Sequence, residues 1–342
     1  MILLWGLEAD PPLREVYAAL RRAGAAVRLL DQRRLLTATA ELLVGDQVSA
    51  TVTCDGRELD LSRCTAAYIR PFDATQLGRV RRAGPGDPLW IRAAQLDRLL
   101  LSWTELTDAL VVNRPSAMAS NDSKPLQAAE LRACGFAVPE TLVTTDPDAA
   151  RAFLECHRQV IYKSISSVRS IVAELGGAAL ARLEAVRWCP TQFQERIPGT
   201  DYRVHVVGDE VFATRVQSDA VDYRYAGDES APPVLHAAEI PDDVADRCTT
   251  VTSRLGMSFT GIDLRLTPDG QWYCFEVNPS PGFTYYQQAT GQPIDAAVAR
   301  LLIGGNVLPR RESRWETWSA PGPRCNAPWA PRLRPSQPVV SR

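Results

Sequence analysis

The stretch that most constrains this chain is Gly261–Gln287, which reads GIDLRLTPDGQWYCFEVNPSPGFTYYQ. Strand-forming residues flank Pro268-Asp269-Gly270, so the segment is expected to be a β-hairpin of Ile262–Leu266 and Trp272–Val277. Such a hairpin should turn apolar residues inward and hold little else. Instead Asp263 sits on one strand, and Glu276 and Asn278 stand two residues apart on the other. Side chains alternate along a strand, so Glu276 and Asn278 share a face. With a loop of the four residues Pro268–Gln271, Asp263 falls directly opposite Glu276. Two carboxylates and an amide oxygen then converge. That donor set suits Mg²⁺, a hard cation that takes few protein oxygens and fills its shell with phosphate and water. Spacing alone equally allows two solvated charges on an exposed sheet face and a turn asparagine before proline.

At 342 residues the chain is long for one core, so two or three domains are expected. With 45% hydrophobic and 23% charged residues it has a soluble globular composition, and its net charge of −2 gives no footprint for nucleic acid or anionic membrane. No apolar run approaches bilayer length, and MILLWGLEAD lacks the basic start and cleavage site of a signal peptide. Eight cysteines are scattered without a C-x-x-C pair, and the three histidines (157, 205 and 236) are not at metal-ligand spacing. These features point to a reducing cytoplasm and away from a zinc site or disulfide framework.

Residues 1–115 read as an N-terminal α/β domain, opening with strand Ile2–Trp5, a helix announced by Pro11-Pro12 and ended by Gly24, and strand Ala26–Leu29. The first strand-to-helix loop carries no Gly-rich phosphate fingerprint, so no dinucleotide site is expected there. Val48–Thr53 and Ala66–Ile69 read as strands, and Asp87-Pro88 caps a long helix to about Ala109. Arg70, where a strand runs into a loop, is either a substrate-carboxylate contact or an exposed loop arginine. Residues 116–190 read as a small central α+β lobe with Lys124 opening a helix and Lys163 inside the apolar strand Val160–Ser164. A lysine in such a strand needs an anionic partner. Two separated lysines facing one cleft would suit a polyphosphate. Residues 191–307 form the C-terminal lobe, in which Asp201–Val207 and Val211–Gln217 turn at Gly208-Asp209. Residues 308–342 are rich in proline and arginine without periodicity, a disordered or loosely docked tail.

The order of these motifs resembles the ATP-grasp superfamily, and within it the carboxylate–amine ligases of the ribosomal-protein glutamate-ligase type. The matching pieces are S-N-D-S-K-P-L at 120–126, V-I-Y-K-S at 160–164, Q-F-Q-E-R-I-P-G-T-D-Y-R-V-H-V-V-G at 192–208, G-I-D-L at 261–264 and F-E-V-N-P at 275–279. The resemblance implies an ATP-grasp fold with ATP between the central lobe and a C-terminal antiparallel-sheet lobe. It makes Lys124 and Lys163 the phosphate-binding lysines. Gln194, Glu195, Arg196 and Ile197 become the hinge strand that reads the adenine, with Glu195 as the acidic nucleotide contact. Asp201 and Arg203 match a G-x-D-x-R element, in which Asp201 belongs to the ATP site and Arg203 lies near the reacting phosphate. Arg215 takes the place of a second phosphate-contacting arginine. Asp263, Glu276 and Asn278 become the ligands of two Mg²⁺ ions, with Mn²⁺ a possible substitute.

The implied chemistry is ligation through an acyl-phosphate, with an amino acid or peptide as substrate and a homo-oligomer (dimer or tetramer) as the expected assembly. Lys163 departs from many relatives in being followed by Ser164-Ile165-Ser166-Ser167-Val168-Arg169 where they carry a Gly-rich loop. Val221-Asp222-Tyr223-Arg224 resembles the D-W-R element of graspetide (microviridin-type) peptide ligases. Asp222 and Arg224 are therefore candidate substrate residues, and a macrocyclase making ester or amide crosslinks in a ribosomal precursor peptide is an alternative function. A catalytically silent nucleotide- or peptide-binding module is the alternative of another class.

Overall fold

Ile2, Leu3, Leu4 and Trp5 are all nearly inaccessible to solvent, as a strand covered on both faces requires. The computed structural model describes residues 1–164, 172–218 and 232–305, and Met1–Leu308 form one compact unit. The proline-arginine tail expected over 308–342 lies outside the described residues, as do Ile165–Arg169, Asp222 and Arg224.

The N-terminal part contains β1 (Ile2–Gly6), β2 (Val27–Asp31), β3 (Thr39–Val44), β4 (Val48–Cys54), β5 (Arg57–Asp60), β6 (Ala66–Arg70) and β7 (Leu110–Val112). Strands β2-β1-β6-β7 form a parallel sheet in that order, and β3-β4-β5 form a separate antiparallel sheet. Alternation along β1 sends Ile2 and Leu4 into one core with helix α1 (Pro11–Arg22). Leu3 and Trp5 enter another with helix α2 (Pro88–Leu106). Asp10 caps α1 by accepting from Leu13 N at 3.2 Å, and Asp87 caps α2 by accepting from Leu89 N at 2.8 Å. The expected run of α2 to Ala109 ends three residues early. Arg114 donates there to the carbonyls of Thr104, Thr107 and Ala109, closing the helix end.

In the central part, helix α3 (Lys124–Ala133) precedes a small antiparallel sheet. Its strands are β8 (Thr141–Thr144), β9 (Val160–Ser164), β10 (Ala173–Glu174) and β11 (Thr191–Glu195), in the order β10-β9-β11-β8. One face packs Val160 and Phe193 with Ala150 of helix α4 (Pro147–His157). The other face carries Lys163, Gln192, Gln194 and Thr141 beside Ile161 and Val143.

The C-terminal part is a five-stranded antiparallel sheet, β14-β13-β12-β15-β16. Its strands are β12 (Thr200–Val207), β13 (Glu210–Gln217), β14 (Val234–Ala238), β15 (Phe259–Leu266) and β16 (Trp272–Asn278). Val204, Ile262, Leu264 and Val277 on one face meet helix α5 (Asp242–Arg254) and Leu131 of α3. Two further helices follow, α6 (Thr284–Thr290) and α7 (Ile294–Gly304). Val298 and Leu302 of α7 share one buried cluster with α1, β1, β6 and Phe259, joining this sheet to the N-terminal part. Among the described residues, no helix is long and apolar enough to cross a membrane.

Candidate active site

The hairpin β15–β16 is longer-looped than the sequence reading assumed. Leu266 pairs with Trp272, leaving the five-residue loop Thr267–Gln271, in which the Thr267 hydroxyl donates to Gln271 O at 3.1 Å and accepts from Gln271 N at 2.9 Å. Carried up the ladder, that register would miss the intended pair by one residue. A β-bulge at Phe275 absorbs the extra residue, so Asp263 still stands opposite Glu276 and Gly261 opposite Asn278. The three oxygen-bearing side chains therefore share one face. Among the described residues no three His, Cys, Asp and Glu side chains gather, so two carboxylates and an amide are the available set. Hard oxygen donors of this kind fit Mg²⁺ rather than zinc.

Arg203 lies on the same face, opposite Asp263 across β12 and β15, and its Nη1 donates to Asp263 Oδ1 at 2.6 Å. Its side chain is only 6% exposed. The guanidinium rests over Gly261, where an added Cβ would come within 2.6 Å of Arg203 Cζ and 2.8 Å of Pro281 Cβ. Only glycine fits beneath that arginine. Beside it His205 is fully buried, T-shaped to Tyr286 at 5.1 Å, with both ring nitrogens lacking a hydrogen-bond partner among the described residues. Burial, and then the Arg203 charge, hold its pKa well below the ordinary imidazole value, so the ring is neutral.

Arg215 does not join Arg203. The turn at Gly208-Asp209 pairs Val207 with Glu210, which puts Arg203 opposite Thr214 and Arg215 opposite Tyr202. Residues one apart on a strand face opposite ways, so Arg215 projects from the other side of the sheet and is exposed. It lines a polar recess with Gly199, Thr200, Asp201 and Gln217. Arg203 and Arg215, both expected to meet phosphate, therefore present to opposite faces of the sheet.

Asp201, expected at the ATP site, is engaged by an arginine of the neighbouring strand. Arg265, its register neighbour, grips the carboxylate with two bonds, Nε to Oδ1 at 2.7 Å and Nη2 to Oδ2 at 2.9 Å. The same guanidinium donates to Ile197 O at 2.7 Å and stacks over Phe275, the bulged residue, at 5.1 Å. Asp201 thus braces the segment after β11 onto the sheet. Ile197 is buried, and Arg196 is tied through its backbone N to Gln159 O at 3.0 Å.

On the central sheet Lys163 stands opposite Gln192, and Gln194 follows on the same face. Both glutamines are buried, Gln194 Nε2 bonds Thr141 Oγ1 at 3.0 Å, and each Oε1 lacks a partner among the described residues. Two unmet acceptors beside a lysine fit a nucleotide that brings its own donors and phosphates. Glu195 turns to the opposite face. Its Oε1 accepts from Glu140 N at 2.8 Å, and Oε2 lies 3.6 Å from His157 Nδ1. The expected acidic contact to the nucleotide is thus engaged in holding β11 to the chain before β8. Lys124 is the first residue of α3, after its cap Ser123.

A family model described as a RimK-like ATP-grasp domain matches residues 122–302, just over half of the chain. The chain belongs to the RimK-like ATP-grasp family. Beta-citrylglutamate synthase B of Danio rerio is 26% identical over 242 residues, covering 66% of this chain and 57% of that one. D-alanine–D-alanine ligase of Dechloromonas aromatica (strain RCB) is 29% identical over 191 residues, covering 50% and 64%. The chain therefore spans less than two thirds of the length of either relative. Among solved structures, the ATP-grasp ligase PsnB complexed with a phosphomimetic variant of its minimal precursor, Mg and ADP superposes with a TM-score of 0.74. It is 27% identical, with 89% of this chain and 98% of that one covered. A Chryseobacterium gregarium RiPP-associated ATP-grasp ligase, in complex with ADP and a leader and core peptide, gives a TM-score of 0.76. At 22% identity over 89% and 97% of the two chains, it supports the fold alone.

In this ATP-grasp chain the loop after Asn278 is clamped from the N-terminal part. Asn278 Oδ1 accepts from Ser280 N at 2.9 Å. Arg70, read from the sequence as a substrate contact or an exposed loop arginine, is neither free nor exposed. It donates to Asp10 Oδ2 at 2.6 Å, Ser280 Oγ at 2.9 Å and Pro281 O at 3.1 Å. Asn113, which sequence reasoning passed over, donates to Phe259 O and Pro279 O at 2.6 Å each and accepts from Ser258 N and Phe259 N. Gln127 was also missed. Its amide bonds both backbone groups of Val277, the residue between Glu276 and Asn278. Neither side chain carries a spacing signal, since each finds its partner far along the chain.

Proposed function

We propose that the chain is an ATP-dependent ligase that activates a carboxylate as an acyl-phosphate and couples it to an amine. The observation that carries this reading is the register of β15–β16. It sets Asp263 against Glu276 on the face that holds Arg203, in a chain of the ATP-grasp family. Asp263, Glu276 and Asn278 would hold Mg²⁺, as two ions, with Mn²⁺ able to substitute. Bound there, the metal would neutralise phosphate charge and align the transferring group. Lys124 and Lys163 would neutralise the remaining phosphate charge, and Gln194 with the backbone at Glu195–Ile197 would seat the base. Arg203, held by Asp263 and confined over Gly261, would present a fixed guanidinium to the charge that develops on the acyl-phosphate oxygens. Phosphoryl transfer asks for positioned charge rather than a protein nucleophile, and these side chains offer that.

The substrate is proposed to be a peptide or amino acid. The likeness to PsnB, solved with a precursor variant and matched over 98% of its length, favours a peptide and makes ester or amide crosslinking a specific second reading. Asp222, Arg224 and Arg215 are proposed to meet that substrate. A cytoplasmic location is supported by seven free cysteines among the described residues. A homo-oligomer is proposed as the assembly.

The test is ADP release with candidate acid–amine pairs and precursor peptides, wild type against Glu276→Ala. Loss of a metal ligand is expected to lower release by about a hundredfold or more. Equal release by both proteins with every substrate would remove the metal site from the reading.

A further inference from the structure

Strand β16 is the outermost strand of its sheet, so one row of its backbone groups faces away from β15. An open row of this kind leaves a strand free to shift or fray. Here the row is met in pieces. Ala137 O accepts from Cys274 N at 2.9 Å near the start of the strand. Past the bulge, Val277 is the next residue whose N–H and C=O both turn outward. Gln127 meets both, Nε2 donating to Val277 O at 2.8 Å and Oε1 accepting from Val277 N at 3.0 Å. The glutamine amide acts as a one-residue strand against the edge. It is 3% exposed, so water does not replace it.

The placement of this pair gives it a consequence for the site. Val277 lies between Glu276 and Asn278, and Gln127 lies one helical turn from Lys124 on α3. Among the described residues the other buried side chains of α3 are Leu131, an apolar contact in the core under this sheet, and Glu130, which accepts from Arg254 of α5 at 2.7 Å; neither bonds the strand's backbone. The two amide bonds fix register. We propose that Gln127 is a positioning residue that locks the spacing between the helix carrying Lys124 and the strand carrying Glu276 and Asn278. Phosphate-directed and metal-directed charges then face one nucleotide at a set separation. The inference rests on the proposed ATP–metal reading of this site and adds to it a residue that touches neither ligand.

The experiment is calorimetric titration of the full chain with ADP, with Mg²⁺ present and with Mg²⁺ chelated, which requires no knowledge of the acid or amine. Wild type is expected to bind ADP more tightly with Mg²⁺. Gln127→Met keeps the side-chain length and loses both bonds. It should forfeit about tenfold of the Mg²⁺-dependent gain while metal-free ADP affinity stays within about twofold. A role limited to stability would leave that gain intact in folded protein, as checked by circular dichroism. Gln127→Leu, an apolar helix former that also loses both bonds, should show the same loss, and it carries the test if the Met variant does not fold. A full wild-type gain in either folded variant overturns the positioning role. Glu276→Ala in the same titration separates the two levels. If it loses the gain and Gln127→Met retains it, only the positioning role fails. If Glu276→Ala retains the gain, or wild type shows none, the metal reading fails and the inference with it.

Discussion

Arg203 and Arg215 show how much one residue of parity decides. Both are arginines on neighbouring strands, and the family resemblance assigns both to the phosphates. Yet a two-residue turn at Gly208-Asp209 sets the pairing so that only Arg203 shares the face of Asp263. The buried environment of Arg203 strengthens the contrast, since a guanidinium with few alternatives stays aimed, whereas an exposed one does not. Replacing Arg203 by alanine is expected to lower initial ADP release by about 10²–10³, as for loss of a transition-state donor, whereas Arg215→Ala stays within about tenfold of wild type. Equal losses in the two variants, measured at saturating ATP, would mean that Arg215 reaches the phosphates despite its register.

Between strands, the clearest working part is the brace of Asp201, Arg265 and the Ile197 carbonyl. It ties the segment joining the central sheet to β12 onto β15, so the two sheets are held at a defined junction. Both charged side chains are about one-fifth exposed, so solvent screening weakens their attraction. Asp201→Ala and Arg265→Ala are each expected to cost about 1–3 kcal/mol in urea melts, with the double variant costing clearly less than the sum. Additive losses would show that the carboxylate and guanidinium act apart. At this scale much was legible in the sequence. Pro11-Pro12 and Asp87-Pro88 announced α1 and α2, and the hairpin turn placed β15 and β16. The route to the key pair was not legible, because nothing in Tyr273-Cys274-Phe275 marks a bulge. The pair came out opposite because a longer loop and an extra strand residue cancel. Strand β3 was passed over since its half-exposed residues alternate weakly. Helix α6 hid behind the proline and glycine that precede it. Arg265 carried no signal in the sequence, and only the fold shows it beside Asp201.

Across the whole molecule, the contacts that hold the site in place span the largest sequence separations, which is why local patterns did not reveal them. Asn113, at the end of the parallel sheet, reaches partners 146 and 166 residues away. All four hydrogen-bonding positions of its amide are used, and the residue is only 3% exposed. The N-terminal part thereby fixes the start of β15 and the chain just past Asn278, while Arg70 secures Ser280 and Pro281 a few residues on. Position 113 therefore couples the stability of the two sheets. Asn113→Ala would leave two N–H groups and two carbonyls unpaired in the interior, at an expected cost of about 3 kcal/mol in urea-induced unfolding. Asn113→Asp tests the same geometry by charge. It retains acceptors for Ser258 N and Phe259 N but sets an oxygen against the carbonyls of Phe259 and Pro279, so it should be no more stable than the alanine variant. An aspartate variant that melts like wild type would show that the amide's donors do not hold these two carbonyls.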